Sequence, residues 1–198
     1  MSMIGNFRSA SDEDIEALMK VPKRIELFLY GEYFNPPAKK RGLFSFLRRG
    51  NRDVAACSTT PNDTWAPETD GPAFDVDKAW HGIHFLLCSS AWEGRHPLNF
   101  IVAGGTPIGD VDVGYGPARA YTSTEVAEIA QALQSITGDQ LRAKFDSKVF
   151  FDNKIYPEIW NEPVEECLDS YLLSYFEDLK AFVLKARDDG RGLVVYLN

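Results

Sequence analysis

Cysteine is scarce in this chain. Cys57, Cys88 and Cys167 are the only three in 198 residues, and no two of them form a CxxC pair. An odd number at wide spacing supports neither a disulfide framework nor a zinc knuckle. Cys88 and Cys167 fall in helical patterns and read as small buried hydrophobes, which fits a reduced, cytosolic protein. Long apolar runs are also missing: none approaches the roughly 20 residues that a membrane helix needs. The opening MSMIGNF runs into SASDEDIE with no charged-then-apolar signal pattern, so the expected location is the cytoplasm and no stable membrane insertion is expected. Positive charge is short as well, with 21 Lys and Arg against 29 Asp and Glu, a net charge of −8. That balance argues against nucleic acid and anionic membrane as partners, and allows a basic protein partner.

The common catalytic signatures are absent too. No GxSxG elbow is present, and no Ser or Cys sits beside a predicted turn that would expose it as a nucleophile. His81 and His84 stand three apart, which is not the paired-His spacing of the zinc peptidases. No Cys or Glu completes a ligand set around them, so no metal and no cofactor is expected. Glu93 and Glu158 would act as paired carboxylates only if folding brought them together, and nothing in the sequence does so. No internal repeat is visible.

What is present is ordinary globular composition, 44% hydrophobic and 25% charged, in a chain long enough for one domain with a substantial core. The most telling run is DVDKAWHGIHFLLCS, residues 75–89. At helical spacing Val76, Trp80, Ile83 and Leu87 share a face that Phe85 and Leu86 widen, which predicts a helix buried on more than one side. Asp75 or Asp77 is placed to cap it. Gly82 costs such a helix about 1 kcal/mol relative to Ala and points to a close approach by another backbone.

Other helices follow from the same rules. Ser11 opens SDEDIEALM with acids in the first turn, Pro22 starts a second helix, and Gly31 ends it. Thr122 with Glu125, and Thr137 with Gln140, are capping boxes. Asn161 and Pro163 open the longest helix, which runs to about Asp188 before Gly190. Met3–Phe7, the Val111–Val113–Tyr115 alternation and Leu193–Leu197 read as strands. Val149–Phe151 and Ile155–Tyr156 read as a strand pair. Leu98–Val102 is too short for periodicity to decide. Residues 34–72 carry five prolines and read as a long, flexible loop. Within it, Lys39, Lys40, Arg41, Arg48, Arg49 and Arg52 surround Leu43, Phe44, Phe46 and Leu47. This patch, 39–52, either folds back on the chain's acidic surface or touches a membrane or an acidic partner. The sum is an α+β class: a helix-rich single domain, 1–198, with several helices packed on a small mixed sheet.

The pieces MSMIGNF, SDEDIEALM, DKAWHGIHFLL, PLNFIVAGG, IGDVDVGYGPAR, EVAEIAQAL, LRAKFD and IYPEIW together resemble the YfbM-like family, a bacterial domain of unknown function. The resemblance spans nearly the whole chain outside 34–72, and DKAWHGIHFLL and DVGYGPAR are its specific parts. It implies one α+β domain in a cytosolic bacterial protein. It brings no established activity, so no catalytic residue is carried over.

Two readings of function follow. The first is a noncatalytic module that binds another protein, of the inhibitor or immunity-protein kind, which suits the acidic charge and small size. The second is a small-ligand-binding protein or enzyme. Gly114, Gly116 and Arg119 lie just before a helix, where amides and a guanidinium hold anions; the match to a dinucleotide loop is poor, because Pro117 removes a donor and the third glycine is missing. Alternation would put Tyr156, Glu158 and Trp160 on one face of an extended segment. With Trp80, His84, Tyr115 and Arg119 they would line an aromatic pocket with a few polar groups. The bland readings stand beside this one: His84 and Trp80 as core, and Arg119 paired to an acid in a tight turn.

Overall fold

A computed structural model describes residues 2–32, 64–68 and 71–198. The basic patch at 39–52 and Cys57 lie outside the described residues. Among the described residues, five strands form one sheet in the order β2-β1-β5-β4-β3. These are β1 (Gly5–Ala10), β2 (Ala73–Asp75), β3 (Thr106–Asp112), β4 (Pro117–Tyr121) and β5 (Gly192–Leu197). The expected α+β class holds; every strand pair is antiparallel, where a mixed sheet was expected.

The sheet has a different hydrophobic cluster on each face, which explains why β5 is a continuous apolar run. Leu193 and Val195 point into the larger cluster and Val194 into the smaller one. Alternation sorts β4 in the same way: Ala118 and Ala120 join the smaller cluster, and Tyr121 the larger. Two helices, α1 (Asp12–Lys20) and α2 (Arg24–Tyr30), cover the smaller face with Ile15, Leu18, Ile25 and Phe28. Ser11 caps α1 by accepting from the Asp14 amide at 3.1 Å. Gly31, at φ 76°, closes α2 in the left-handed region that glycine adopts without strain.

The larger face carries α3 (Trp80–Cys88), α4 (Ser123–Gln134), α5 (Gly138–Arg142), α6 (Ser147–Asp152) and α7 (Ser174–Asp188). Both expected capping boxes form, at the starts of α4 and α5. Helix α3 is buried from Trp80 to Leu87, as its wide apolar stripe predicts. Neither aspartate caps it as expected. A 3₁₀ turn, Asp77–Ala79, precedes it; Asp75 accepts from the Asp77 amide, and the Asp77 carboxylate accepts from the Tyr171 hydroxyl at 2.8 Å. The close approach at Gly82 is real, but it is made by side chains. A Cβ there would lie 2.8 Å from Leu172 Cδ1 and 2.9 Å from Trp160 Cη2.

Three other segments differ from the sequence reading. Val149–Phe151 is helical, because the Asp146 carboxylate accepts from the amides of Lys148 and Val149 and so nucleates α6. Leu98–Val102 is a set of turns in which the Asn99 carbonyl accepts from the amides of Val102, Ala103 and Gly104. The last helix is not uniform: Glu165–Leu173 is wound as a π-helix and the chain becomes α-helical only at Ser174. Within this wider winding Cys167, Leu168 and Leu172 are inside, and Val164 just before it is exposed. Among the described residues no helix is long and apolar enough to cross a membrane.

Candidate functional site

Helix α3 supplies the polar groups at the centre of the molecule. His81 and His84 are both fully buried, and each fastens the same loop. His81 Nε2 lies 2.8 Å from the Ala91 carbonyl, and His84 Nε2 lies 3.1 Å from the Glu93 carbonyl. The Tyr156 amide donates to His81 Nδ1 at 3.0 Å. That nitrogen therefore carries no proton, the ring is neutral, and Nε2 is the donor to Ala91. Burial lowers the pKa of both rings; His84 is pushed down to about 4, chiefly by burial and further by the Arg119 guanidinium and by any charge on His81, against the bond to Glu93.

Trp80, sealed from solvent, donates its indole N–H to the Met3 carbonyl at 3.1 Å. It stacks on His81 at 4.7 Å, and on the half-buried Tyr156 at 5.9 Å. Tyr156 in turn accepts from the Met3 amide through its hydroxyl. Arg119 is spent on the 99–105 turns. Its guanidinium donates to the Gly104 carbonyl at 2.6 Å, and also to Ile101 and Phe100. Its partners are thus three carbonyls that the glycine-rich turn leaves without amide donors, and not the carboxylate expected of a turn arginine. Trp160 is buried against Gly82 and Phe150 and donates to the Ile155 carbonyl at 2.6 Å.

The other two candidates lie on the surface. Tyr115 is 46% exposed in the β3–β4 turn. The flanking amides of Gly114 and Gly116 both donate to the Asp112 carboxylate, so this glycine turn has its own internal acceptor. Glu158 is exposed, and its φ of 66° among the turns at 156–160 means that this segment is not extended. The alternation argument for Tyr156, Glu158 and Trp160 does not apply to such a backbone. The structure thus brings Trp80 and Tyr156 into contact and His84 into the field of Arg119. It buries Trp160 elsewhere on α3 and leaves Tyr115 and Glu158 outside.

The surface feature that the sequence reading did not single out is the loop after α3. Trp92 is 58% exposed, yet its ring rests on His81 at 4.4 Å and reaches Trp80 at 6.2 Å. Beside it is an open concavity of about 600 Å³ lined by Leu87, Cys88, Glu93, Arg95, His96 and Pro97, among others. His96 is held at its rim by Glu128 at 2.5 Å. The Cys88 thiol donates to the Leu98 carbonyl, and burial pushes its pKa up to about 11, which disfavours the thiolate. Among the described residues no cluster of three His, Cys, Asp or Glu is placed to hold a metal. The run Trp92-Glu93-Gly94-Arg95-His96 did carry a signal, a tryptophan and an arginine among short polar residues past a helix end.

Residues 1–196 match DUF1877, a domain of unknown function. Among solved structures, the chain is similar to a protein of unknown function, YfbM from Escherichia coli. The two share 18% identity with a TM-score of 0.62, over 98% of this chain and 99% of that one. The likeness is one of fold. No curated protein matches the chain.

Proposed function

The chain belongs to the DUF1877 family, and from that premise we propose that it is a noncatalytic protein-binding module of the bacterial cytosol, of the inhibitor or immunity-protein kind. The loop Ser89–Leu98 is its docking surface and Trp92 the anchor. One observation carries this reading: Trp92 is 58% exposed and nevertheless packs its ring on a histidine that is itself hydrogen-bonded to the loop. Tryptophan and arginine are the residue types that dominate binding energy at interfaces, and Trp92 and Arg95 stand on the same loop. A loop fixed before binding loses little conformational entropy when it docks. The net charge of −8 favours a basic partner through faster, steered encounter. The free thiols of Cys88 and Cys167 and the Escherichia coli relative suit a reduced bacterial interior.

The small-ligand reading around His84, Tyr115 and Arg119 has less behind it. His84 and Arg119 spend their donors on main-chain carbonyls, and Tyr115 stands apart on the exterior. Quantitative capture from native lysate, comparing the wild type with Trp92→Ala, tests the preferred reading. A stoichiometric partner whose recovery falls at least about tenfold in the variant is expected, since an anchor of this type contributes 2 kcal/mol or more, roughly thirtyfold. Equal recovery by both proteins, or no partner at all, would count against it. Stabilisation by a nucleotide, sugar phosphate or metal in a thermal-shift series would favour the pocket instead.

A further inference from the structure

We propose that His81 is an acid-operated catch: its neutral ring fastens the Ser89–His96 loop, and a second proton on the ring releases that loop while the rest of the fold stays in place. The inference deepens the reading of this loop as a docking surface, by giving that surface a means of regulation.

Both ring nitrogens of His81 are committed. Nδ1 accepts from the Tyr156 amide and Nε2 donates to the Ala91 carbonyl. A proton added at Nδ1 would turn the first bond into two donors facing each other. The ring is also wholly buried between Trp80 and Trp92. The flanking indoles favour a cation to some degree, but they replace neither the lost acceptor nor water around a buried charge. An imidazolium at this position must reach solvent, and only one wall can give way. Trp80 is sealed and hydrogen-bonded to Met3, while Trp92 is more than half exposed. The ring therefore leaves on the Trp92 side, and Ala91 loses its donor as it goes.

The groups that face the two rings act together. From α3 itself, a charge on His81 penalises one on His84; from β4, Arg119 does the same. From the 155–160 segment Tyr156 meets His81 through its amide and its ring stacks on Trp80. From the loop, Glu93 meets His84 through its main chain, with its carboxylate exposed. Burial lowers both pKa values, but only His81 gives up an existing hydrogen bond when it gains a proton, because its Nδ1 accepts from Tyr156 while His84 Nδ1 has no partner among the described residues. His84 keeps its Nε2 donor on the Glu93 carbonyl with or without a proton on Nδ1, which makes the release a hinge opening centred on Ala91 and Trp92.

Amide hydrogen exchange of the intact protein without partner, corrected for the intrinsic effect of pH, tests this between pH 7 and pH 4.5. Protection of residues 89–96 is expected to fall at least tenfold while α4 and β5 stay protected, and His81→Gln, which donates and accepts but never charges, is expected to remove the pH dependence. Nitrogen NMR of the wild-type imidazole supplies a second readout that needs no variant: His81 is expected to titrate over the range in which the loop opens. Loop protection that falls only in step with α4 and β5, or a ring that stays neutral until global unfolding, overturns the proposal. Because no partner is present, that failure would leave the docking surface itself unaffected; a protein that binds nothing through Trp92 would, conversely, leave the titration standing.

Discussion

Gly82 and Trp160 meet so closely that a Cβ on Gly82 would lie 2.9 Å from the indole Cη2, with Leu172 Cδ1 at 2.8 Å on the same side. The expectation for Gly82→Ala is therefore set by two opposed effects. Helix propensity favours alanine by about 1 kcal/mol, and overpacking a closed core costs about 1–3 kcal/mol. Trp160 is buried and tied to Ile155 and cannot retreat, so overpacking wins. Urea denaturation is expected to show a net loss on the order of 1 kcal/mol with an unchanged slope; a gain in stability would mean that the core there is soft.

The two neighbouring tryptophans are expected to behave in opposite ways. Trp80→Ala removes a sealed indole and its bond to Met3, with a cost of about 3–5 kcal/mol. Trp92→Ala removes a ring that is mostly in water and should cost the free protein under about 1 kcal/mol. Chemical denaturation of both variants checks this. Were Trp92 the costlier truncation, it would be a structural lid and not an anchor.

Acid stability follows from the sign of the histidine shifts. Unfolded histidine titrates near 6.5, while burial holds both rings lower in the fold, with His84 down to about 4. Between those values the unfolded chain binds more protons, so stability rises with pH. The contribution is complete above about pH 6.5 and is lost as pH falls toward 4. Urea midpoints measured from pH 7.5 to 4.5 should fall over that window, and His84→Gln should flatten the dependence. A flat wild-type profile would place both rings in contact with solvent.

Arg119 should tolerate neither loss nor conservative change. Without its guanidinium, the carbonyls of Gly104 and Ile101 lose their donor, and a buried polar group left unpaired costs about 1–3 kcal/mol. Arg119→Met is expected to cost at least about 2 kcal/mol. Arg119→Lys should restore little, because a single ammonium cannot span carbonyls that the planar fork reaches together. Thermal unfolding of the two variants decides it; full rescue by lysine would reduce the arginine to a point charge.

Much of the fold was legible because it is written in local chemistry. Thr122 with Glu125, Thr137 with Gln140, Ser11 and Gly31 sit where the structure needs them, since a cap depends on four or five residues in sequence. Leu193–Leu197 read correctly because a strand buried on both faces has no polar positions. The failures are where distant contacts decide. Val149–Phe151 reads as strand by composition, but Asp146 caps the amides of Lys148 and Val149 and makes it helix. The 3.6-residue period was carried through 165–173, where the backbone is wound wider. The candidate site was half legible. His84 and Arg119 do share one polar centre, but whether a histidine lines a cavity or ties down a loop depends on Ala91, Glu93 and Tyr156, up to 75 residues away. Trp92 passed unremarked because exposure has no periodic signature.

The position of β5 between β1 and β4 has a consequence for synthesis on the ribosome. Residues 192–197 pair with 5–10 on one side and 119–121 on the other, and Ile4 exchanges hydrogen bonds with Asn198. Until β5 emerges, β1 with β2 and β4 with β3 are two ribbons that no other described strand joins, each with an open edge. Residues 5–121 therefore leave the ribosome with the facing edges of β1 and β4 unpaired, and those edges stay open to wrong partners until β5 follows.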